Sequence, residues 1–124
     1  MKHGFILQIF LGVFTAAGLS PGVPNLALAH HGWSSYDASK IITLTAQLQD
    51  VVWRNPHAEA KVDYSGETWV VVLAPISRME ARGLTKDMLK NGVTATLEGY
   101  PRSDGTPEMR LERITVNGKT VELR

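Results

Sequence analysis

Cysteine is absent from the sequence. Disulfide staples, thiol nucleophiles and thiolate metal sites are therefore excluded, and stability must come from packing. Net charge is scarce as well: 13 Lys and Arg stand against 12 Asp and Glu, a balance that gives no general attraction to nucleic acid or to an anionic membrane. No apolar run reaches the ~20 residues of a membrane-spanning helix. The nearest approach, Phe5 to Leu19, is interrupted by Gln8, Gly12, Thr15 and Gly18. Internal repeats, low-complexity tracts, a nucleophile elbow, a phosphate loop and close-spaced carboxylate pairs are also missing.

What is present begins with an export signal. Met1-Lys2-His3 is a short basic head, Phe5 to Leu19 an apolar segment, and Ser20 to Asn25 a helix-breaking stretch before the small-x-small site Ala27-Leu28-Ala29. We expect residues 1–29 to be a signal peptide, and residues 30–124 to be one soluble domain, periplasmic or secreted and without a stable membrane anchor. Loss of Lys2 leaves 12 basic against 12 acidic residues, a formal charge of zero. Cleavage after Ala29 makes His30 the first residue of the mature chain, followed at once by His31; cleavage after Ala27 would instead leave Leu28-Ala29-His30 as a terminus.

The remaining chain reads as mainly β. Residues 32–37 form a polar and aromatic arm without a period. Ile41 to Trp53 alternates over much of its length and predicts one long strand with room for a bend, stopped by Asn55-Pro56. Ala58 to Tyr64 alternates again, Ser65-Gly66-Glu67 predicts a hairpin turn, and Thr68 to Leu73 is apolar enough to be central. Pro75 opens a helix over Ile76 to Arg82 that Gly83 ends, and Thr85 is placed as N-cap of a short turn over Lys86 to Lys90. Val93 to Tyr100 and Glu108 to Val116 predict two further strands. Met109, Leu111 and, with continued alternation, Arg113 would share one face of the latter. Asn117-Gly118 is a strong hairpin signal before a last short strand, Lys119 to Leu123. This order predicts a small OB-like barrel of five or six strands with a helical connection between strands three and four; a plain meander with a loose helix is the alternative.

The chemistry concentrates in histidine. Three histidines remain after cleavage: His30 and His31 at the terminus, and His57 just after the Asn55-Pro56 turn. A free terminal amine and the imidazole of the same residue can chelate one metal ion, and the amine, with a pKa of about 8, gives up its proton to a metal near neutrality. His57 would supply a third nitrogen and His31 a fourth. Nitrogen ligands without thiolates favour copper, with zinc as second choice. Tyr36 and Asp37 are placed as a second shell that fixes an imidazole tautomer.

Plainer readings stand beside this one. A histidine pair at a terminus is also what a solvated arm looks like, and His57 can simply hold a strand entry in place through a hydrogen bond. Trp33, Trp53 and Trp69 read as packing anchors, and Met79, Met88 and Met109 as core. Arg78, Arg82, Lys86 and Lys90 read as a solvated basic side. If the histidines are incidental, the domain is an interaction module for a peptide, a glycan or an exported partner protein.

The quoted residues also carry a resemblance. His30-His31-Gly32-Trp33, Asp37, Trp53-Arg54-Asn55-Pro56-His57, Leu73-Ala74-Pro75, Ser77-Arg78-Met79, Arg82-Gly83-Leu84-Thr85, Leu89-Lys90-Asn91-Gly92 and Glu98-Gly99-Tyr100-Pro101 resemble a family of small exported bacterial proteins catalogued as a domain of unknown function. The resemblance implies export and a single small β domain, and it assigns no activity. A looser similarity to exported OB-fold stress proteins rests on strand order alone.

Overall fold

The alternation seen in the sequence becomes a curled, half-barrel sheet in the computed structural model, which describes residues 32–124. The expected leader, His30 and His31 lie outside the described residues. Strands β1 (Ile42–Gln47), β2 (Gln49–Val52), β3 (Glu59–Tyr64), β4 (Glu67–Val72), β5 (Thr94–Pro101), β6 (Glu108–Val116) and β7 (Lys119–Glu122) are joined in the order β1-β5-β6-β4-β3-β2, with β7 paired to β6. All pairs are antiparallel except β4 with β6. Among the described residues a single short α-helix, α1 (Ile76–Ala81), connects β4 towards β5. Among the described residues, no helix is long and apolar enough to cross a membrane.

Seven strands appear in place of the five or six expected, because the stretch from Ile41 to Trp53 is divided at Leu48. The backbone of Leu48 continues the pairing beyond Gln47 and Thr94, donating to Val93 O at 2.8 Å and accepting from Gly92 N at 2.7 Å. Asp50 takes a positive φ of 45°, and the register of β2 on β3 shifts between Gln49 and Val52. An extra residue of this kind bends a strand. The two halves can then pair with different partners, β1 with β5 and β2 with β3, so that one stretch of chain forms both ends of the sheet path.

The core lies inside the curl. Ala58, Ala60 and Val62 alternate inwards with Val71, Leu73, Ala95, Leu97, Met109 and Leu111, all buried. Met79, Leu84 and Leu89, from α1 and the connection after it, plug one end. Pro75 caps α1 and Gly83 ends it in a left-handed conformation (φ 83°), where Leu84 N donates back to Met79 O at 2.8 Å. Thr85 occupies the cap position of the 3-10 turn Lys86–Met88 but makes no side-chain cap bond.

Arg113 departs from its expected face. The inward set on β6 changes from Met109 and Leu111 to Ile114 and Val116, since the register against β5 shifts at Glu98 and Gly99. Arg113 is thereby turned outwards, bonding Glu122 at 2.8 Å and Glu98 at 3.3 Å. The arginines read as a solvated side are also engaged. Arg78 donates to Leu123 O at 3.1 Å, and Arg82 to Glu122 O at 2.7 Å and Arg124 O at 3.1 Å. These bonds satisfy carbonyls at the end of β7 that would otherwise form an open sheet edge.

Candidate metal centre

His57 follows a cis Asn55-Pro56 bond at the entry to β3. The next residue, Ala58, is tied on both sides of its backbone to the strand beyond: its N–H donates to Ala74 O at 3.1 Å, and its carbonyl accepts from Leu73 N at 2.9 Å. Ala58, Ala60 and Val62 face the core, so strand alternation turns His57 and Glu59 to the outer face. His57 is nevertheless only 7 % exposed. Its Nδ1 lies 3.5 Å from Glu59 Oε1, which places a carboxylate beside one ring nitrogen.

The pairing register extends this outer face across the sheet. Glu59 is opposite Val72, Val72 is opposite Arg110, and Arg110 is opposite Tyr100. Val72 also points away from the core and is wholly buried, which requires a cover. The amino-terminal arm docks elsewhere on this sheet, at the end of β5. Asp37 N donates to Pro101 O at 2.8 Å, Ser103 N donates to Ser35 O at 3.0 Å, and Tyr36 forms an antiparallel bridge with Arg102. Thus the arm pairs with the end of β5, and its Trp33 meets Arg110 and Tyr100, which share the outer face with Glu59.

Two clusters fix the arm. Trp33, in the 3-10 turn Trp33–Ser35, has Arg110 Cζ 4.4 Å and Arg124 Cζ 4.6 Å from its ring. Tyr36 and Tyr100 meet it edge-on at 6.5 and 6.1 Å. Cations over an indole face are attracted by its quadrupole, which offsets the crowding of like charges. Burial lowers the pKa of Arg110, the field of Tyr36 opposes this, and the charges of Arg78 and Arg124 add to the lowering. In the second cluster Tyr36 Oη donates to Glu108 Oε2 at 2.8 Å, while Arg102 lies 3.4 Å from that oxygen and 3.1 Å from Asp104 Oδ2.

The Tyr36 bond carries a pH dependence. Burial first, then the hydrogen bond and charge of Glu108, raise the Tyr36 pKa well above its ordinary value near 10. A hydroxyl whose folded pKa is raised stabilises the fold fully below its unfolded pKa, and this contribution is lost as pH rises from there towards the folded value. Tyr36→Phe should therefore lower stability by about 1 kcal/mol at neutral pH. Above about pH 10 the wild-type protein should lose stability more steeply than the variant. Urea unfolding of both proteins between pH 7 and 11 checks this, and parallel curves would refute it.

The remaining expected residues are placed as follows. Tyr36, assigned to a second shell, bonds Glu108. Asp37, assigned with it, accepts from Ser39 N at 3.0 Å and lies 3.7 Å from Lys40; bonds from Ser39 lead in holding its carboxyl below the ordinary carboxylate range. The carboxylate beside His57 is Glu59, on the side of the Ala58 to Tyr64 alternation opposite Ala58, Ala60 and Val62. Its position two residues after His57 on one strand was the available signal, since such residues share a face. Among the described residues no group of three or more His, Asp or Glu side chains is close enough to hold a metal ion. His57 and Glu59 would therefore need donors from the chain before Gly32.

The fold and site together define a small, mainly β protein with an aromatic arm docked at the end of β5 and a buried histidine at the entry to β3. The family of unknown function DUF6152 matches residues 20–110, and the chain belongs to that family. The match spans the arm, the Asn-Pro-His turn and most of the sheet. A search of curated proteins finds no match.

Proposed function

We propose that the protein is an exported copper-binding protein that carries, buffers or delivers the ion, with His30, His31 and His57 as ligands and zinc as the second-choice metal. The observation that carries this reading is the docking of the arm. Trp33 sits on Arg110, two strands from Glu59 on one face of the sheet, a separation of about 10 Å. His31 and His30 precede Trp33 by two and three residues, and a chain spans at most about 3.6 Å per residue. Their reach from Trp33, about 7 to 11 Å, is of the same order as this separation from Glu59, the residue whose carboxylate lies beside His57.

His30 would contribute its terminal amine and imidazole, and His57 an imidazole oriented by Glu59. Copper held this way supplies a Lewis-acidic and redox-capable centre; the buried surroundings of His57 suit retention of the ion better than rapid exchange with solvent. The same reading places the mature protein in the periplasm or outside the cell. We also assign the sheet to the OB type. Support comes from the pairing order, with one bent stretch at both ends of the path, and from α1 between β4 and β5.

Native mass spectrometry of the exported protein tests the reading, with Cu(II) titrated against a competing chelator. The expected result is a chain beginning at His30 that retains one copper ion. A chain whose terminal amine is acetylated should bind about 100-fold more weakly, a loss of about 2.7 kcal/mol, because the blocked amine can no longer act as a ligand beside the His30 imidazole. Equal retention by both chains would refute the terminal site and favour an interaction module with incidental histidines.

A further inference from the structure

A concavity whose lining includes neither His57 nor Glu59 lies at the end of β2. We propose that it binds a single-chain amphiphile with an anionic head, of the fatty-carboxylate class. The cavity measures about 610 Å³, within the range of small-molecule sites. Val51, Val52 and Trp53 form one side, and the segment carrying Leu89 forms the other. Val51 and Trp53 pack partly against the core, whereas Val52 is one of two large apolar residues left well exposed, at 36 %. The two sides are fastened by Asn91, whose Oδ1 accepts the Val51 N–H at 2.9 Å. This bond ties the cavity's backbone frame together before any ligand arrives.

Charge selects the head group. Lys86 and Lys90 stand at the rim with Asp87, leaving an excess of one positive charge. Asp87 is 4.0 Å from Lys90, and Lys86 has no ion pair among the described residues. An apolar chain against Val51, Val52 and Trp53, with its carboxylate at Lys86, satisfies both features. A neutral chain would use only the first, and a small hydrophilic anion only the second. The Trp53 ring offers a broad contact for methylene groups. A single amphiphile chain suits this open concavity better than a bilayer surface does, since only Val52 among its apolar residues projects openly.

Calorimetric titration of the full chain with decanoate below its micellar concentration, and with decanol, tests this. Decanoate should bind at one site about tenfold more tightly than decanol. The double variant Lys86→Glu, Lys90→Glu should weaken decanoate about tenfold, in line with two exposed ion pairs, and leave decanol unchanged. Val52→Asp should weaken both ligands, with thermal unfolding confirming that each variant is folded. His57→Ala should alter neither, which separates this site from the proposed copper site. Absent or nonspecific binding of decanoate, equal binding of decanol, or insensitivity to the lysine changes would overturn the proposal. So would capture by phosphatidylglycerol vesicles without binding of monomeric decanoate.

Discussion

Gly99→Ala is expected to destabilise the fold by about 3 kcal/mol, the upper part of the range for overpacking a tight interior. Gly99 lies on the inner face of β5, opposite Leu111, where the β5–β6 register shifts. A Cβ added there would collide with Arg110 O and stand 2.9 Å from Arg110 C and 3.0 Å from Leu111 Cα. These are backbone atoms of the adjoining strand, so no rotamer change relieves the contact. Relief requires β5 and β6 to separate at the point where both sheet halves converge.

The displacement would reach the arm as well. Arg110 carries the Trp33 stack, and Tyr100 borders the same ring. Gly92→Ala is the comparison. Gly92 has a φ of 88° and no atom within 4 Å of an added Cβ, so its substitution carries only the left-handed conformational penalty of about 1–2 kcal/mol. Urea unfolding with a common slope distinguishes the two. A Gly99→Ala loss no larger than that of Gly92→Ala would show that the close approach of β6 is not what requires glycine.

Local signals made much of this fold legible. The alternation of Ala58, Ala60 and Val62 identified an inward face because a strand repeats every two residues. Asn117-Gly118 marked the last hairpin through its need for positive φ at both positions, found at 51° and 74°. Pro75 and Gly83 bracketed α1 for equally local reasons. Local pattern reached its limit at Arg113, where one extra residue in β6 inverted the alternation.

Long-range partners were not legible. Arg78 and Arg82 look like a charged helix face, yet they satisfy carbonyls about forty residues away, and backbone acceptors leave no mark in a sequence. The Tyr36 to Glu108 bond spans 72 residues. The candidate site shows the same division. Asn-Pro-His announced a histidine after a turn, whereas the burial of His57 on the outer face is a tertiary property that strand alternation alone would not give. The carboxylate nearest that ring was visible in retrospect through the two-residue spacing of His57 and Glu59.

His57→Ala is expected to weaken copper binding by at least about 100-fold, about 2.7 kcal/mol, while leaving the protein folded. The first part follows from ligand count. A terminal amine and imidazole form a chelate by themselves, and removing the third nitrogen leaves a centre that a competing chelator can strip. The second part follows from position. His57 faces outwards, and the inward contacts of Ala58 and the backbone bonds to Leu73 and Ala74 survive the change. His57→Gln offers a further discrimination, since it retains a polar side chain of similar reach while removing the imidazole. If His57 serves only to hold the strand entry, glutamine should restore stability and neither variant should alter copper retention. If it is a ligand, both variants should lose the ion, and the electron paramagnetic resonance spectrum of the remaining weakly bound Cu(II) should show fewer coupled nitrogens than in the wild type. Unchanged spectra and affinity in His57→Ala would restrict any copper site to the terminus alone.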